Sequence, residues 1–426
     1  MKIAFANILY SKKHQSGGLG THISTLSAEL ARRGHHVTIL TSGEGPPYVE
    51  NKVRIVPLGR IDTFSHPFQA LSLVYLFRRI AYMVRMTRYV VEHEFDIVET
   101  ADGGFEQAFL AAFTSRRCSL VTKLHGNFRL IYSEHPWFGY LAEKAERFAV
   151  RKSDGVYAST AEYAAAIANI CDIPLQHIRI IPYAIDVDSI DRLKPIDLVE
   201  QYPAIAGKKL AFLSVGSSPL RKGALLFLEA ASRSERDDLH FVLSCNDRRF
   251  LKDARIPPNV LVVKDLDQCR FYNWLRLSDV VVFPSSGETF CIAAHEAMLF
   301  GKAIVVSKHI PLEGIDLAYP KCAILPSLQS SLLAQAIFQF MDEKRRCPDV
   351  EEDFHQRFVL RYRIGAVADQ TEQFYRWLQN SRPALSLGNT KQSSGESFPW
   401  KPLTCKSSLN RTMASPRRDS SDDRNS

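Results

Sequence analysis

Lys2-Ile3-Ala4-Phe5-Ala6, then Gly17-Gly18-Leu19-Gly20, then Ile23, Leu26 and Leu30, and finally Val37-Thr38-Ile39-Leu40-Thr41 set the architecture of this chain. The first run is short, apolar and without polar alternation, as a strand covered on both faces requires. A glycine turn follows it. Ile23, Leu26 and Leu30 then recur at helical spacing over Thr21–Arg33, and Gly34 supplies the stop. The second apolar run returns as a strand. Strand, glycine turn, helix and strand make a βαβ unit, so the sheet is parallel and its crossover right-handed.

The pattern repeats outward from there. Ile97–Glu99, Leu120–Leu124, Gly155–Ala158 and Ile178–Ile181 read as further strands of the same sheet. A second series begins near Leu210, with strands at Leu210–Val215, His240–Ser244, Val260–Val263, Val280–Phe283 and Ala303–Val306 and helices between them. Asp186–Gly207 holds several Pro and Asp residues without clear periodicity and is the expected hinge. A helical run around Val367–Gln379 is expected to close the fold. From Ser381 the chain is rich in Ser, Pro, Arg and Asp and is expected to be disordered.

Bulk properties agree with two domains plus extras, since 426 residues exceed one comfortable hydrophobic core. The formal charge of +8 suits a phosphorylated ligand, an anionic membrane face or nucleic acid, and does not choose among them. From Ser381 onward eight Lys/Arg face four Asp/Glu, so half of that excess lies outside the expected fold. Nucleic-acid binding would rest on this basic tail alone, which lacks interleaved aromatics, and is not expected. Eight cysteines are scattered singly, as in a reduced, cytosolic protein with neither a zinc site nor a disulfide framework. The apolar start is too short for a signal peptide, and no stretch is apolar enough to span a bilayer.

Three segments can carry chemistry. Gly18 and Gly20 let backbone approach a ligand at the start of a helix, where N–H groups are unpaired. Ile23 occupies the place of the third glycine of the dinucleotide fingerprint, which weakens an NAD-binding reading; a ligand-free tight turn would use the same glycines. Val215-Gly216-Ser217-Ser218-Pro219-Leu220-Arg221-Lys222-Gly223 follows a strand and opens a helix, placing Arg221 and Lys222 at the edge of a parallel sheet where ligands bind. The glycine spacing is not that of a Walker loop, and a solvated basic turn is the plainer alternative. The third segment runs from Gly287-Glu288-Thr289-Phe290-Cys291-Ile292 through His295-Glu296-Ala297-Met298 to Gly301-Lys302-Ala303. Glu288 lies in the loop and Glu296 about one turn into a helix, so both carboxylates are expected at the crevice mouth, accepting hydrogen bonds from sugar and ribose hydroxyls. Backbone N–H groups near Thr289, Phe290, Cys291 and Ile292 would point at phosphate.

With these motifs in order, the chain resembles glycosyltransferase family 4, a large retaining family of glycosyl transferases group 1 with the GT-B fold. The resemblance runs from residue 2 to about 380. It includes Gly17–Gly20, Lys123-Leu124-His125-Gly126, Ser153–Ser159, Ile181–Asp186, Gly216 to Gly223, and two glutamates separated by seven positions. It implies an α/β protein of two Rossmann-like domains facing a central cleft, with a C-terminal helix returning to the N-terminal domain. The implied boundaries are 1–185 for the acceptor domain, 186–207 for the hinge, 208–365 for the donor domain, 366–380 for the closing helix and 381–426 for the tail.

Residue roles follow from the same resemblance. Lys222, assisted by Arg221, would neutralise the diphosphate of a nucleotide-sugar donor. Glu296 would hold the ribose, and Glu288 the transferred sugar. Gly18 and Gly20 would bring backbone amides toward phosphate or acceptor, and His125 would sit beside the sugar; a histidine after a buried strand is otherwise often structural. The acceptor would be a glycan or lipid-linked molecule, as in cell-surface polysaccharide or lipopolysaccharide biosynthesis. No cofactor and no metal are implied. Asp186-Val187-Asp188 and Asp265-Leu266-Asp267 have the form of metal-binding triplets but are read as structural.

Two departures stand out. Ser217 replaces an arginine frequent in the family, though some members modifying lipopolysaccharide core resemble this chain in pairing such a serine with Arg-Lys-Gly. Leu243-Ser244-Cys245-Asn246 lacks the usual glycine pair, which leaves the base of the donor open. Phe64–Glu94, rich in Leu, Phe, Tyr and Met with Arg78, Arg79, Arg85 and Arg88, reads either as a surface for anionic lipid on the cytoplasmic face of a membrane or as an amphipathic core helix. Trp137 and Phe138 are candidate acceptor contacts or packed loop aromatics. A sugar-nucleotide epimerase and a non-catalytic sugar-nucleotide-binding scaffold are the rival readings.

Overall fold

A computed structural model of the chain describes residues 1–8, 10, 18–61, 73–103, 106–112, 117–126, 136–216, 218–311, 319–342 and 348–385. Two sheets organise it. The first is built from β1 (Lys2–Ala6), β2 (His36–Thr41), β3 (Tyr48–Glu50), β4 (Val53–Pro57), β5 (Ile97–Ala101), β6 (Ser119–Leu124), β7 (Gly155–Ala158) and β8 (Ile178–Ile180). Their spatial order is β3-β4-β2-β1-β5-β6-β7-β8, parallel except for the antiparallel β3–β4 pair. That pair is a hairpin unannounced by the sequence pattern, turned at Asn51 and Lys52 with φ of 50° and 65°.

The second sheet contains β9 (Lys209–Gly216), β10 (Leu239–Cys245), β11 (Val260–Val263), β12 (Val280–Phe283), β13 (Ala303–Ser307) and β14 (Cys322–Leu325), ordered β11-β10-β9-β12-β13-β14 and parallel throughout. This is the doubly wound order, with strand succession reversing between β9 and β12. The first sheet reverses in the same way between β1 and β5. Each reversal leaves a crevice at the carboxyl ends of its strands. Four of the eleven strands expected from sequence match without adjustment, and the remainder differ by a residue or two at their ends.

Two segments differ from expectation. Asp186–Gly207 contains short helices at Val187–Asp191 and Leu198–Gln201, and Leu198 and Ile205 are buried in the core of the second lobe with Trp274 and Phe212. It is folded onto that lobe because its scattered apolar residues have a partner that periodicity alone does not reveal. At the other end, helix Ile364–Leu385 runs past Ser381, where disorder was expected to begin. Val367, Ala368, Phe374, Tyr375 and Leu378 of this helix pack on Ile3, Phe5, Tyr157 and Leu26 of the first lobe. The preceding helix, Pro348–Tyr362, packs Phe354, Phe358 and Tyr362 into the second. The rest of the expected tail, from residue 386, lies outside the described residues, as do Gly17 and Ser217 and the side chains of Trp137 and Phe138.

Candidate active site

The two segments leaving β9 and β12 are pressed together. Gly223 has φ +76°, and a Cβ there would lie 2.4 Å from the carbonyl oxygen of Pro284, so only glycine allows the approach. Ser286 donates its backbone N–H to the Arg221 carbonyl at 2.9 Å. The side chains converge as a result. Arg221 Nη1 donates to Gly287 O at 2.6 Å and lies 3.1 Å from Glu288 Oε1. Lys222 Nζ is 3.9 Å from the same carboxylate oxygen, and Ser285 Oγ donates to it at 3.3 Å. Two cations and one carboxylate thus share one patch at the carboxyl edge of the sheet.

Beyond Glu288 the chain turns sharply into helix Ile292–Leu299. Cys291 holds φ +63° at the helix start, and no side chain caps the first turn. Its unpaired N–H groups and dipole favour an anion there. Burial, followed by the negative charge of Glu288, pushes the Cys291 thiol up to about 12. Phe290 is buried and stacks on His295, with ring centres 4.0 Å apart. Glu296 stands one turn into the helix as expected, but it is only 7% exposed and accepts the Tyr272 hydroxyl at 2.8 Å. Burial lifts its carboxyl to about 7, and the charge of Asp186 adds to this. The expectation of two carboxylates at the crevice mouth is therefore corrected. Glu288 lies with the cations, while Glu296 is nearly covered and held by the Tyr272 hydroxyl.

The first lobe closes on this edge. Thr160 Oγ1 donates to Thr289 O at 3.3 Å, and the Tyr183 and Phe290 rings sit 5.3 Å apart. Gly18 opens helix Gly18–Arg32, and a Cβ on it would come within 3.1 Å of Ile292 Cδ1, so the two lobes approach closely there. Gly20 has open space around it and makes no such approach. His125 is fixed by its backbone N–H to Asp102 Oδ1 at 2.6 Å, joined by Gly126 N–H to the same oxygen at 2.8 Å. Its ring Nδ1 bonds the Tyr183 hydroxyl. Burial, then the positive charges of Lys123 and Arg221, push the imidazole down to about 3, so it is neutral at pH 7. Tyr183, bonded to His125, meets Phe290 of the opposite lobe, which places His125 at the same edge as Glu288 and the cations.

The structure therefore brings together Arg221, Lys222, Glu288, Cys291 and His125, and sets Glu296 deeper. It adds Tyr183, Tyr272, Ser285, Thr160 and Asp102, which the sequence reading passed over. Tyr183 sits within the Ile181–Asp186 motif, so the signal was present without a geometry to use it. Among the described residues no group of three His, Cys, Asp or Glu side chains could hold a metal ion. The two acidic triplets act as helix caps: Asp186 accepts from Ser189 N–H at 3.0 Å and Asp267 from Arg270 N–H at 2.7 Å. On helix Leu73–His93, Arg79 is buried and paired with Glu106, so it is not part of a basic outer face; Arg78, Arg85 and Arg88 are exposed beside Phe77, Val84 and Val91. Among the described residues, no helix is long and apolar enough to cross a membrane.

Two Rossmann-like lobes with this topology, meeting over a cleft with cations on one edge, define the GT-B fold. Residues 16–189 match Glycosyltransferase Family 4 and residues 208–343 match Glycosyl transferases group 1, one on each lobe. A D-inositol 3-phosphate glycosyltransferase of Xylanimonas cellulosilytica is 25% identical over 323 residues, covering 68% of this chain and 75% of the relative. Among solved structures, the sucrose-phosphate synthase of Thermosynechococcus elongatus superposes with a TM-score of 0.72 at 16% identity, covering 89% of this chain and all of the other. Anabaena HepE, solved with UDP-glucose, gives 0.67 at 15% identity over 88% of this chain and all of the other. The chain belongs to the GT-B glycosyltransferases of the family 4, group 1 type.

Proposed function

We propose that this enzyme moves a hexose from a nucleoside diphosphate sugar to a hydroxyl of a glycan or lipid-linked acceptor, with retention of anomeric configuration and without a metal. The observation that carries the reading is the convergence of Arg221 and Lys222 on Glu288 at the edge facing His125. Without a ligand both cations rest on that carboxylate. An arriving diphosphate offers them more charge, and the exchange frees Glu288 for hydroxyls of the sugar. As the anomeric C–O bond breaks, negative charge grows on the leaving phosphate, where Lys222, Arg221 and the first turn of Ile292–Leu299 oppose it without reorganisation. The acceptor oxygen attacks from the same face, its proton passes to the departing phosphate oxygen, and the nucleoside diphosphate leaves. The neutral His125 ring holds a sugar hydroxyl, and Glu296 the ribose. UDP is the first donor nucleotide to test, since HepE was solved with UDP-glucose.

Cell-surface polysaccharide or lipopolysaccharide assembly, on the cytoplasmic face of the membrane, is the proposed setting. The Ser-x-x-x-Arg-Lys-Gly form of residues 217–223 supports it, and so does helix Leu73–His93, where Phe77 is 67% exposed beside Arg78. Co-sedimentation with phosphatidylglycerol vesicles but not with phosphatidylcholine vesicles is expected, weakened by Phe77→Ser; equal behaviour in both would remove the membrane from the account. The function itself is tested by incubating the enzyme with nucleotide sugars and candidate acceptors. Acceptor-dependent release of nucleoside diphosphate and a product of unchanged anomeric configuration by proton NMR are expected. Conversion of the nucleotide sugar without any acceptor would establish epimerisation instead.

A further inference from the structure

Behind the His125 face, the first lobe buries a charge cluster that the transfer step leaves unused. Lys123, on β6, is 1% exposed, and its Nζ has no hydrogen-bond partner. The ammonium lies 4.4 Å from the centre of the Tyr157 ring and 4.2 Å from that of Tyr183. Glu99 and Asp102 flank it from β5 and the turn after it, and both are buried. Glu99 accepts the Tyr157 hydroxyl at 2.8 Å and that of Tyr375 from helix Ile364–Leu385. Asp102 accepts the Tyr163 hydroxyl at 3.3 Å besides the two N–H groups that fix the His125 backbone. From helix Gly18–Arg32, His22 meets Tyr183 edge-on at 4.7 Å, with neither ring nitrogen bonded.

A buried ammonium is expensive, and an apolar side chain would fill a strand interior at less cost. Here two aromatic faces substitute for hydrogen bonds and two carboxylates supply the countercharge. The cation is therefore bound to Tyr183, whose hydroxyl in turn bonds His125 Nδ1. The geometry points to Lys123 as a positioning residue for the transfer site: its ammonium clamps the Tyr183 ring, and Tyr183 fixes the His125 imidazole at the cleft. This rests on the reading of His125 as a residue beside the sugar.

The same charge has an electrostatic effect. Lys123 opposes protonation of both His125 and His22. Burial brings its own amine down to about 7 against the pull of Glu99 and Asp102, so the clamp is charged below that pH and released above it. The tyrosines at 157, 183 and 375 are all held un-ionised by burial across this range and do not compete for the proton.

The test compares wild type with Lys123→Met, which keeps side-chain length and removes the charge. With ¹⁵N-histidine labelling, the His125 pKa is expected to rise by at least about one pH unit in the variant, because the opposing cation is gone. Turnover of donor should fall roughly 10- to 100-fold, with unchanged donor KM and loss of the alkaline limb near pH 7. UDP should bind as in wild type, since Arg221, Lys222 and Glu296 are untouched. An unmoved His125 titration, or a kcat within twofold of wild type, overturns the proposal. Should Lys123→Met fail to fold, Tyr183→Phe removes only the hydroxyl that meets His125 and must itself lower kcat; wild-type kcat in that variant refutes the inference. Absence of wild-type turnover with every nucleotide sugar would refute the transferase reading, whereas the His125 titration would still decide the role of Lys123.

Discussion

Glu296→Gln should make the protein more stable at alkaline pH while weakening its grip on nucleotide. The carboxyl is 7% exposed and lies beside Asp186, which together lift it from the ordinary 4.5 to about 7. A group whose folded pKa is raised contributes stability that is present below the unfolded value and lost as pH climbs through the folded one. The window is therefore pH 4.5 to 7. The full loss at pH 8 is about 3 kcal/mol, from 1.36 kcal/mol per pKa unit. Glutamine has the same shape, still accepts the Tyr272 hydroxyl, and never ionises. At pH 5 the variant and wild type should melt together; at pH 8 the variant should melt roughly 5–10 °C higher. Differential scanning calorimetry across that range reads the effect directly. A melting difference that does not change with pH, or that shrinks as pH rises, refutes the burial argument. The accompanying loss of UDP affinity separates a ribose ligand from a merely strained acid; unchanged affinity would remove Glu296 from the ribose.

Lys222→Ala should lower kcat by about 10² to 10³, the usual effect of deleting one preorganised charge donor, as measured by nucleoside diphosphate release; a near-normal kcat would show that the lysine is not at the leaving group. Gly223→Ala forces a side chain into φ +76° and against Pro284 O. It should cost at least about 2 kcal/mol, visible as a lower melting temperature, and should separate Arg221 and Lys222 from Glu288, visible as lost nucleotide binding.

Much of the fold is legible because parallel strands write themselves as short apolar runs. Val260–Val263, Val280–Phe283 and Gly155–Ala158 are such runs, bounded by polar turns. The hairpin of β3 and β4 is not legible because a three-residue edge strand carries too little pattern, and β14, an edge strand of Cys-Ala-Ile-Leu, has one β-branched residue and a mostly uncovered face. Helical periodicity showed that Leu73–His93 is amphipathic but not which arginine would turn inward; Arg79 found Glu106, which a one-dimensional pattern cannot show.

The site divides along similar lines. Arg221, Lys222 and Glu288 could be placed together because each follows a recognisable strand of one parallel sheet, and the carboxyl ends of those strands meet at a reversal. Tyr183, Asp102 and Lys123 act through contacts that cross between strands, as with the 58 positions separating His125 from Tyr183. Lys123 did leave a trace, the one charged residue in the buried strand Leu120–Leu124. Glu296 was placed correctly along its helix, but its depth depended on Tyr272 from a different helix.

Calorimetric titration of nucleotides into the wild-type protein tests the central claim most directly. Arg221, Lys222 and an uncapped helix start are matched to a pyrophosphate, so one nucleoside diphosphate should bind at one site per chain, and its monophosphate should bind much more weakly. Failure of every nucleoside diphosphate to bind at millimolar concentration, or equal affinity for the monophosphate, would contradict it.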